Sequence, residues 1–155
     1  FDPYARQGKR SGAWMSAYRA QETFRGKITT IVSNNSNFVK GAPGEPVLIS
    51  WDDVTTLFHE FGHALHGLFA DSRYPSRSGT ETQNDFVEFP SQVNEMWMDD
   101  PVVLANYAKH WKTGEPMPRN ASASSRSAAR RARSPDLARS PRRWNTAAGA
   151  PIPSP

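Results

Sequence analysis

The chain has 155 residues, which is enough for one domain with a modest hydrophobic core. It contains no cysteine, which excludes disulfide bridges and thiol chemistry and fits a reducing compartment, so we expect a cytoplasmic protein. No signal peptide and no apolar run long enough to cross a bilayer is evident, so a membrane partner is not expected.

The net charge of +4 has its origin in the C-terminal region. Residues 1–118 contain eleven Lys and Arg against fourteen Asp and Glu, a net charge of −3. Residues 119–155 contain eight Arg against one Asp, a net charge of +7. Nucleic acid is therefore an expected partner only non-specifically, through this basic tail.

The first part of the chain predicts a loop followed by β-structure. Residues 2–12 are charged and glycine-bearing, as in a loop, and residues 13–23 have no periodicity that decides between helix and strand. Residues 27–39 are rich in β-branched and aromatic side chains and predict strand, interrupted by a turn at the Asn-Asn-Ser-Asn of residues 34–37. The Gly- and Pro-rich residues 41–46 predict a connector.

Residues 50–69 predict an amphipathic helix. Ser50 with Asp53 three residues later is a capping-box start, and Asp52 and Asp53 place negative charge at the positive end of the helix dipole. The apolar side chains fall within about 120° of arc at 100° per residue and predict one buried stripe. They are Val54, Leu57, Phe58, Phe61, Leu65, Leu68 and Phe69.

The histidines of this helix lie on another sector and predict a metal site. His59 and His63 are four residues apart, so one turn stacks their imidazoles close enough to share a cation. Zinc prefers such neutral nitrogen ligands. Glu60 is rotated around the helix, so we expect it to accept a proton from the attacking water rather than to bind the metal. The alternative is that both histidines are polar residues on a solvated face.

A second helix is predicted to follow a polar loop at residues 71–85. Asp85 can cap it, with Pro90 tolerated in the first turn. Glu88, Gln92 and Glu95 then share one face. Glu95 has two readings: it can hold a ligand imidazole in one tautomer, or it can form an ordinary surface salt bridge.

A third helix is predicted at residues 102–111, where Asp100 followed by Pro101 is a helix start and Gly114 is a stop. His110 near its end is expected to be an exposed residue that suits the helix dipole rather than a ligand. His66 can support the metal site or pack beneath it, and we do not expect it to be a ligand.

The tail, residues 119–155, is almost entirely Ala, Arg, Ser and Pro, so we expect it to be disordered. It can be an Arg-rich arm that binds phosphate backbones, a flexible linker, or a translation in a shifted reading frame. The abrupt change of composition after Pro118 favours the third, because shifted frames of GC-rich genes encode these four residue types. The predicted division is therefore a partial catalytic domain at 1–118 and the tail at 119–155.

The motifs resemble those of a known family. The stretches FHEFGHALH at 58–66 and FVEFPSQ at 86–92 resemble the thimet oligopeptidase family of zinc metallopeptidases. The segments YAR at 4–6 and GAWM at 12–15 are most similar to its bacterial peptidyl-dipeptidase branch. The resemblance covers about residues 1–118 and implies a zincin-like, mainly α fold with a small β-sheet, of which this chain is a fragment.

The resemblance also implies the chemistry. It makes Glu88 the third ligand of one Zn²⁺ per chain, beside His59 and His63, with Glu60 as the catalytic base. It implies short peptide substrates cleaved in a peptidyl-dipeptidase or oligopeptidase manner, an edge strand that hydrogen-bonds an extended peptide, and a flexible segment around Gly79 that lines the cleft.

The sequence departs from the family pattern near Pro118, and it has no counterpart of the family's downstream His and Tyr residues. Because loss of oxyanion donors costs orders of magnitude in rate, the chain is expected to bind zinc but to hydrolyse little. Two other hypotheses are a basic-tailed, nucleic-acid-associating protein with a vestigial zinc site, and a non-functional truncated product.

Overall fold

The computed structural model describes residues 1–118, and the predictions for 119–155 lie outside the described residues. Within residues 1–118 the chain forms three α-helices and a three-stranded sheet, which confirms the predicted mainly helical chain with a small sheet. The elements are β1 (Asp2–Tyr4), β2 (Trp14–Arg19), β3 (Ile31–Phe38), α1 (Trp51–Leu68), a 3-10 turn (Pro75–Arg77), α2 (Phe89–Trp97) and α3 (Pro101–Tyr107).

Strand β3 is the centre of the sheet, whose order is β1-β3-β2. It runs parallel to β1 and antiparallel to β2, with Trp14 opposite Asn35 and Ala17 opposite Val32. Residues 13–23, for which the sequence pattern favoured neither helix nor strand, thus contain the edge strand β2.

The predicted turn at residues 34–37 is wrong, because these residues continue β3. Their polar side chains have tertiary partners that the local sequence does not reveal. The amide of Asn35 donates to the Trp14 carbonyl at 3.2 Å, and that of Asn37 donates to the Gly12 carbonyl at 2.6 Å. The strand pairing and these bonds together override the turn preference of Asn and Ser.

The buried side chain of Asn34 joins the sheet to the backbone of α1. With the amide oriented to satisfy both ends, its nitrogen donates to the Glu60 carbonyl at 2.8 Å and its oxygen accepts from the Phe61 N–H at 2.9 Å. A buried amide costs free energy unless it is paired, so these two bonds fix β3 against the middle of α1.

Helix α1 begins with the predicted capping box. The Ser50 hydroxyl accepts from the Asp53 N–H at 3.1 Å, and the Asp53 carboxylate accepts from the Ser50 N–H at 2.9 Å. Two of the backbone donors that a helix start leaves unpaired are thereby satisfied. The helix ends at Leu68, one residue before the predicted end.

The predicted apolar stripe of α1 is only partly buried. Val54 is buried, but Phe61, Leu68 and Phe69 are 49%, 50% and 79% exposed. The buried positions in the second half of the helix are small: Gly62, Ala64 and Gly67. The periodicity of the sequence identifies the face that carries large apolar side chains. In this structure, however, other segments pack against the face of α1 that carries the small residues.

Helix α2 differs from its predicted start, whereas α3 has its predicted cap. Helix α2 begins at Phe89, after a turn in which the Val87 N–H donates to the Gln83 carbonyl, so Asp85 is not its cap. Pro90 does lie in the first turn. In α3 the Asp100 carboxylate accepts from the Val102 and Val103 N–H groups, as predicted.

Helix α3 ends at Tyr107 rather than at residue 111. The chain turns there because the His110 N–H donates to the Glu115 carbonyl at 2.7 Å and the Met117 N–H donates to the Ala108 carbonyl at 2.8 Å. A small hydrophobic cluster forms as a result. It consists of Leu104, Ala108 and Met117, with Trp51 and Tyr107 packed against it.

The chain divides into two compact units. Among residues 1–118, one contains Phe1–Phe38 and Thr55–Trp97, and the other contains Val39–Val54 and residues 98–118. The first unit holds the sheet, most of α1, and α2. No helix among residues 1–118 combines the length and the apolar character that crossing a membrane requires.

Candidate metal centre

The two histidines of α1 face one another across one helical turn. The ring centroids of His59 and His63 are 4.9 Å apart, and the ring planes meet at 82°. The Nε2 atoms of both rings approach one carboxylate oxygen, Glu88 Oε2, at 3.1 Å for His59 and 3.2 Å for His63. The i, i+4 spacing thus brings the pair together as predicted.

Glu88 reaches the histidines from the turn that leads into α2. Among the described residues, His59, His63 and Glu88 form a group that could hold a metal ion, and one ligand atom from each lies within 4.8 Å of the others. The three predicted ligand residues therefore meet at one place, although 25 residues separate Glu88 from His63 in the chain.

The carboxylate of Glu88 is oriented by Ser91, which is completely buried. The Ser91 hydroxyl lies 2.9 Å from Glu88 Oε2 and 2.8 Å from the Glu88 carbonyl oxygen, so it can donate to either. Partial desolvation acts to raise the pKa of Glu88, but the Ser91 hydrogen bond and the adjacent His63 and His59 outweigh it and hold the pKa below its ordinary value. The carboxylate is thus kept in the ionised form that binds a cation.

Glu60 does not belong to this three-residue group. It is next to His59 on α1, is half-buried, and has its backbone carbonyl bound to Asn34. Glu60 is therefore a sequence neighbour of the metal group and not a fourth member of it.

Helices α1 and α2 approach closely at Gly62. A Cβ atom on Gly62 would lie 2.5 Å from Ser91 Cα and 2.8 Å from the Pro90 carbonyl oxygen, both of them backbone atoms. The Asn94 amide donates to the Phe58 carbonyl at 2.6 Å in the same contact. Sequence reasoning missed Gly62, Ser91 and Asn94, and the one available signal was the glycine inside the HEFGH motif.

Glu95 contacts the candidate ligand His59. Its Oε1 is 2.5 Å from Nδ1 of His59, the ring nitrogen on the side away from Glu88. The partner of Glu95 is thus a candidate ligand imidazole, as one of the two predicted alternatives requires.

The other two histidines lie outside the group. His66 packs edge-on against Phe86 with ring centroids 6.0 Å apart, and burial, with a smaller contribution from His63, lowers its pKa. His110 belongs to the other unit, where its Nδ1 contacts the Thr113 hydroxyl at 3.1 Å. Neither is a member of the metal group.

A cavity of about 550 Å³ lies beside the group rather than at it, and its lining includes His66, Arg77, Phe86 and Trp97 but none of the three candidate ligands. Gly79 also lines this cavity. A Cβ on Gly79 would lie 3.0 Å from Gly67 Cα, and its φ of +59° suits glycine, so this segment is packed against α1.

Two histidines one turn apart on a helix, a glutamate between them in the sequence and a carboxylate from the turn before the next helix define a candidate metallohydrolase site. The chain belongs to peptidase family M3, because residues 1–139 match the sequence model of that family. This agrees with the family that the motifs resemble.

Several relatives are similar over the same region. The chain is 54% identical over 117 residues to the dipeptidyl carboxypeptidase of Escherichia coli K12, a match that covers 76% of this chain and 17% of the relative. It is 39% identical over 124 residues to oligopeptidase A of Salmonella typhimurium LT2, covering 76% of this chain and 18% of the relative. The chain thus spans less than a fifth of the length of these relatives.

Proposed function

We propose that this chain carries the metal site of a zinc-dependent peptidase that hydrolyses peptide bonds in short peptides, in the manner of a peptidyl-dipeptidase or oligopeptidase. The proposal depends on one observation, the convergence of the ligand atoms of His59, His63 and Glu88 within 4.8 Å. The names of the two similar relatives, dipeptidyl carboxypeptidase and oligopeptidase A, support the substrate class.

The donor set fits zinc. Two imidazole nitrogens and one carboxylate oxygen are the ligands of many catalytic zinc sites, which keep a fourth position open. Ligand atoms about 2.0 to 2.2 Å from a tetrahedral ion are roughly 3.3 to 3.6 Å apart. The Nε2 to Oε2 distances of 3.1 and 3.2 Å are close to that spacing. We therefore assign one zinc ion to His59, His63 and Glu88.

In the proposed mechanism, zinc supplies a Lewis acid that polarises the scissile carbonyl and lowers the pKa of the attacking water. Glu60 accepts a proton from that water as its oxygen bonds to the carbonyl carbon. When the C–N bond breaks, the Glu60 carboxyl returns the proton to the leaving amine. The chain thus needs its own residues for two tasks: His59, His63 and Glu88 hold the ion, and Glu60 moves the proton.

An extended peptide can pair with the edge strand β2. In the sheet order β1-β3-β2, the side of β2 away from β3 has no strand partner among residues 1–118. Such an edge offers backbone N–H and C=O groups to an added strand, and this mode of binding depends little on the sequence of the peptide. It therefore suits a peptidase that accepts varied short peptides.

The test compares the parent chain with Glu88→Gln and Glu60→Gln. We expect the parent to bind one zinc ion per chain, Glu88→Gln to bind it far more weakly, and Glu60→Gln to keep the zinc. Any hydrolysis of a fluorogenic short peptide should fall about 10²- to 10⁴-fold in Glu60→Gln, the usual contribution of a general base. Absence of zinc from the folded parent, or unchanged uptake by Glu88→Gln, would refute the assignment.

The absence of cysteine supports a cytoplasmic location, which we retain as a proposal. The division at residue 118 and the nucleic-acid-associating alternative both depend on residues 119–155, outside the described residues, and no described feature favours that alternative.

A further inference from the structure

We propose that Glu95 is a positioning residue for the metal site: it holds His59 in the tautomer that leaves Nε2 free to bind a metal ion. This inference rests on the proposed function, because it gives Glu95 a task only if His59 is a ligand. Glu95 would not bind the ion itself. It would act on His59, one of the three residues that could bind it.

The contact is short and its chemistry selects one arrangement. Glu95 Oε1 and His59 Nδ1 are 2.5 Å apart, a distance that requires a proton between them. An ionised carboxylate can only accept, so in a pair of carboxylate and neutral imidazole the proton is on Nδ1. A neutral imidazole carries one N–H, which leaves Nε2 of His59 with its lone pair directed towards Glu88.

The competing tautomer would block the site. If Nε2 of His59 carried the proton, it would donate to Glu88 Oε2, which lies 3.1 Å away, and would have no lone pair for a cation. The two carboxylates thus compete for the single ring proton. The Glu95 contact is shorter by 0.6 Å and opposes the blocked form.

The backbone near Glu95 is held in place by the neighbouring residue, Asn94, which bonds to α1. Asn94 donates to the carbonyl of Phe58, and Glu95 contacts the side chain of His59, so successive residues of α2 bind successive residues of α1. The close approach at Gly62 holds the same two helices together. The Glu95 carboxylate is therefore delivered to His59 by packed elements rather than by a mobile surface side chain.

The Glu95 carboxylate does not form a surface salt bridge with a Lys or Arg side chain of residues 1–118. Within residues 1–118 its ion-pair partner is His59, and no Lys or Arg side chain lies within 4.0 Å of its carboxylate. The second histidine provides an internal contrast. His63 Nδ1 is buried and has no hydrogen-bond partner in that part of the chain, so the carboxylate contact is a property of His59 and not of both candidate ligands.

The first measurement needs no metal. In the metal-free chain at about pH 9, well above the ordinary imidazole pKa of about 6.5, nitrogen NMR should show His59 as a single Nδ1–H tautomer. Glu95→Ala should give a mixture of tautomers. Glu95→Gln can hold the ring but can either donate or accept, so it should also give a mixture. Glu81→Ala removes an exposed carboxylate in the same unit and should leave the His59 signals unchanged.

The second measurement is the zinc dissociation constant, determined by competition with a chromophoric chelator. Loss of a residue that orients a ligand histidine typically weakens metal binding about 10- to 100-fold. We expect a loss of that size for Glu95→Ala, a smaller loss for Glu95→Gln, and no change for Glu81→Ala. Far-ultraviolet circular dichroism checks that the variants keep their helices.

Retention of the single Nδ1–H tautomer in Glu95→Ala, or zinc affinity within twofold of that of Glu81→Ala, would overturn the proposal. A parent chain that binds no zinc would instead refute the proposed function. In that case the tautomer of metal-free His59 still decides whether Glu95 controls the imidazole.

Discussion

At the scale of single residues, Glu88 depends on its neighbour Ser91. The side chain of Glu88 is 49% exposed, yet its pKa lies below the ordinary value. Because that pKa is lowered by folding, the associated stability of the metal-free chain is present above the pKa of the unfolded state. It is lost as the pH falls through the lower pKa of the folded state.

Replacing Ser91 by Ala should therefore raise the pKa of Glu88, because it removes the side-chain hydrogen bond that favours the carboxylate. Carbon NMR of the Glu88 carboxyl in the metal-free chain measures this change. Ser11→Ala, at an exposed serine, is the matched control and should leave the titration unchanged. An unchanged Glu88 pKa in Ser91→Ala would show that the histidines alone lower it.

The residues of the candidate site differ in how far the sequence could predict them. His59 and His63 belong to one helical turn, so their spacing alone places them together. Glu88 was placed by resemblance. The bond of Glu95 to His59 joins side chains 36 residues apart, and neither periodicity nor spacing specifies which carboxylate of α2 faces which ring nitrogen.

At the scale of elements, the separation of α1 and α2 controls whether Glu88 can reach the histidines. Position 62 has no room for a side chain in this contact, since a Cβ there would meet backbone atoms of Ser91 and Pro90. Backbone cannot rotate away as a side chain can. The same reasoning explains why the buried face of α1 did not follow its apolar stripe.

Gly62→Ala should destabilise the chain and weaken zinc binding together. At an unobstructed helix position, Ala is about 1 kcal/mol better than Gly. Here overpacking should reverse the sign and cost about 1–3 kcal/mol. Urea unfolding and the zinc dissociation constant measure the two effects. Gly67→Ala is the control, because its Cβ would meet chiefly a Val32 side-chain atom at 3.0 Å, so a smaller loss is expected. A stabilised Gly62→Ala would contradict the packing argument.

The start or end of a helix or strand could be predicted where the residues that determine it are close in sequence. The capping box of α1 and the Asp100 cap of α3 are read from neighbouring residues, and both are present. The continuation of β3 through residues 34–37 depends on Trp14 and Gly12, and the early end of α3 depends on Glu115 and Met117. Such partners are distant in sequence, so local preferences gave the wrong boundaries.

At the scale of the whole molecule, the residues of the candidate metal site all belong to one of the two compact units, the unit made of residues 1–38 and 55–97. That unit also exposes large apolar side chains on α1 and α2. They include Phe61, Leu68, Phe89, Met96 and Trp97. Hydrophobic burial is the main term that stabilises folds, so a unit with this much exposed apolar surface should gain a large share of its stability from a bound ion.

Zinc should therefore raise the unfolding temperature of the chain, and a chelator should lower it. An ion that binds only the native state contributes about 2.7 kcal/mol at a free concentration of 100 times its dissociation constant. For a chain of this size that corresponds to about 5 to 10 °C. Differential scanning fluorimetry with zinc and with excess chelator measures the shift. His63→Ala should abolish it, whereas His110→Ala, in the other unit, should preserve it. Equal shifts in both variants would mean that zinc binds elsewhere, because His63 contributes a donor to the group around Glu88 and His110 does not.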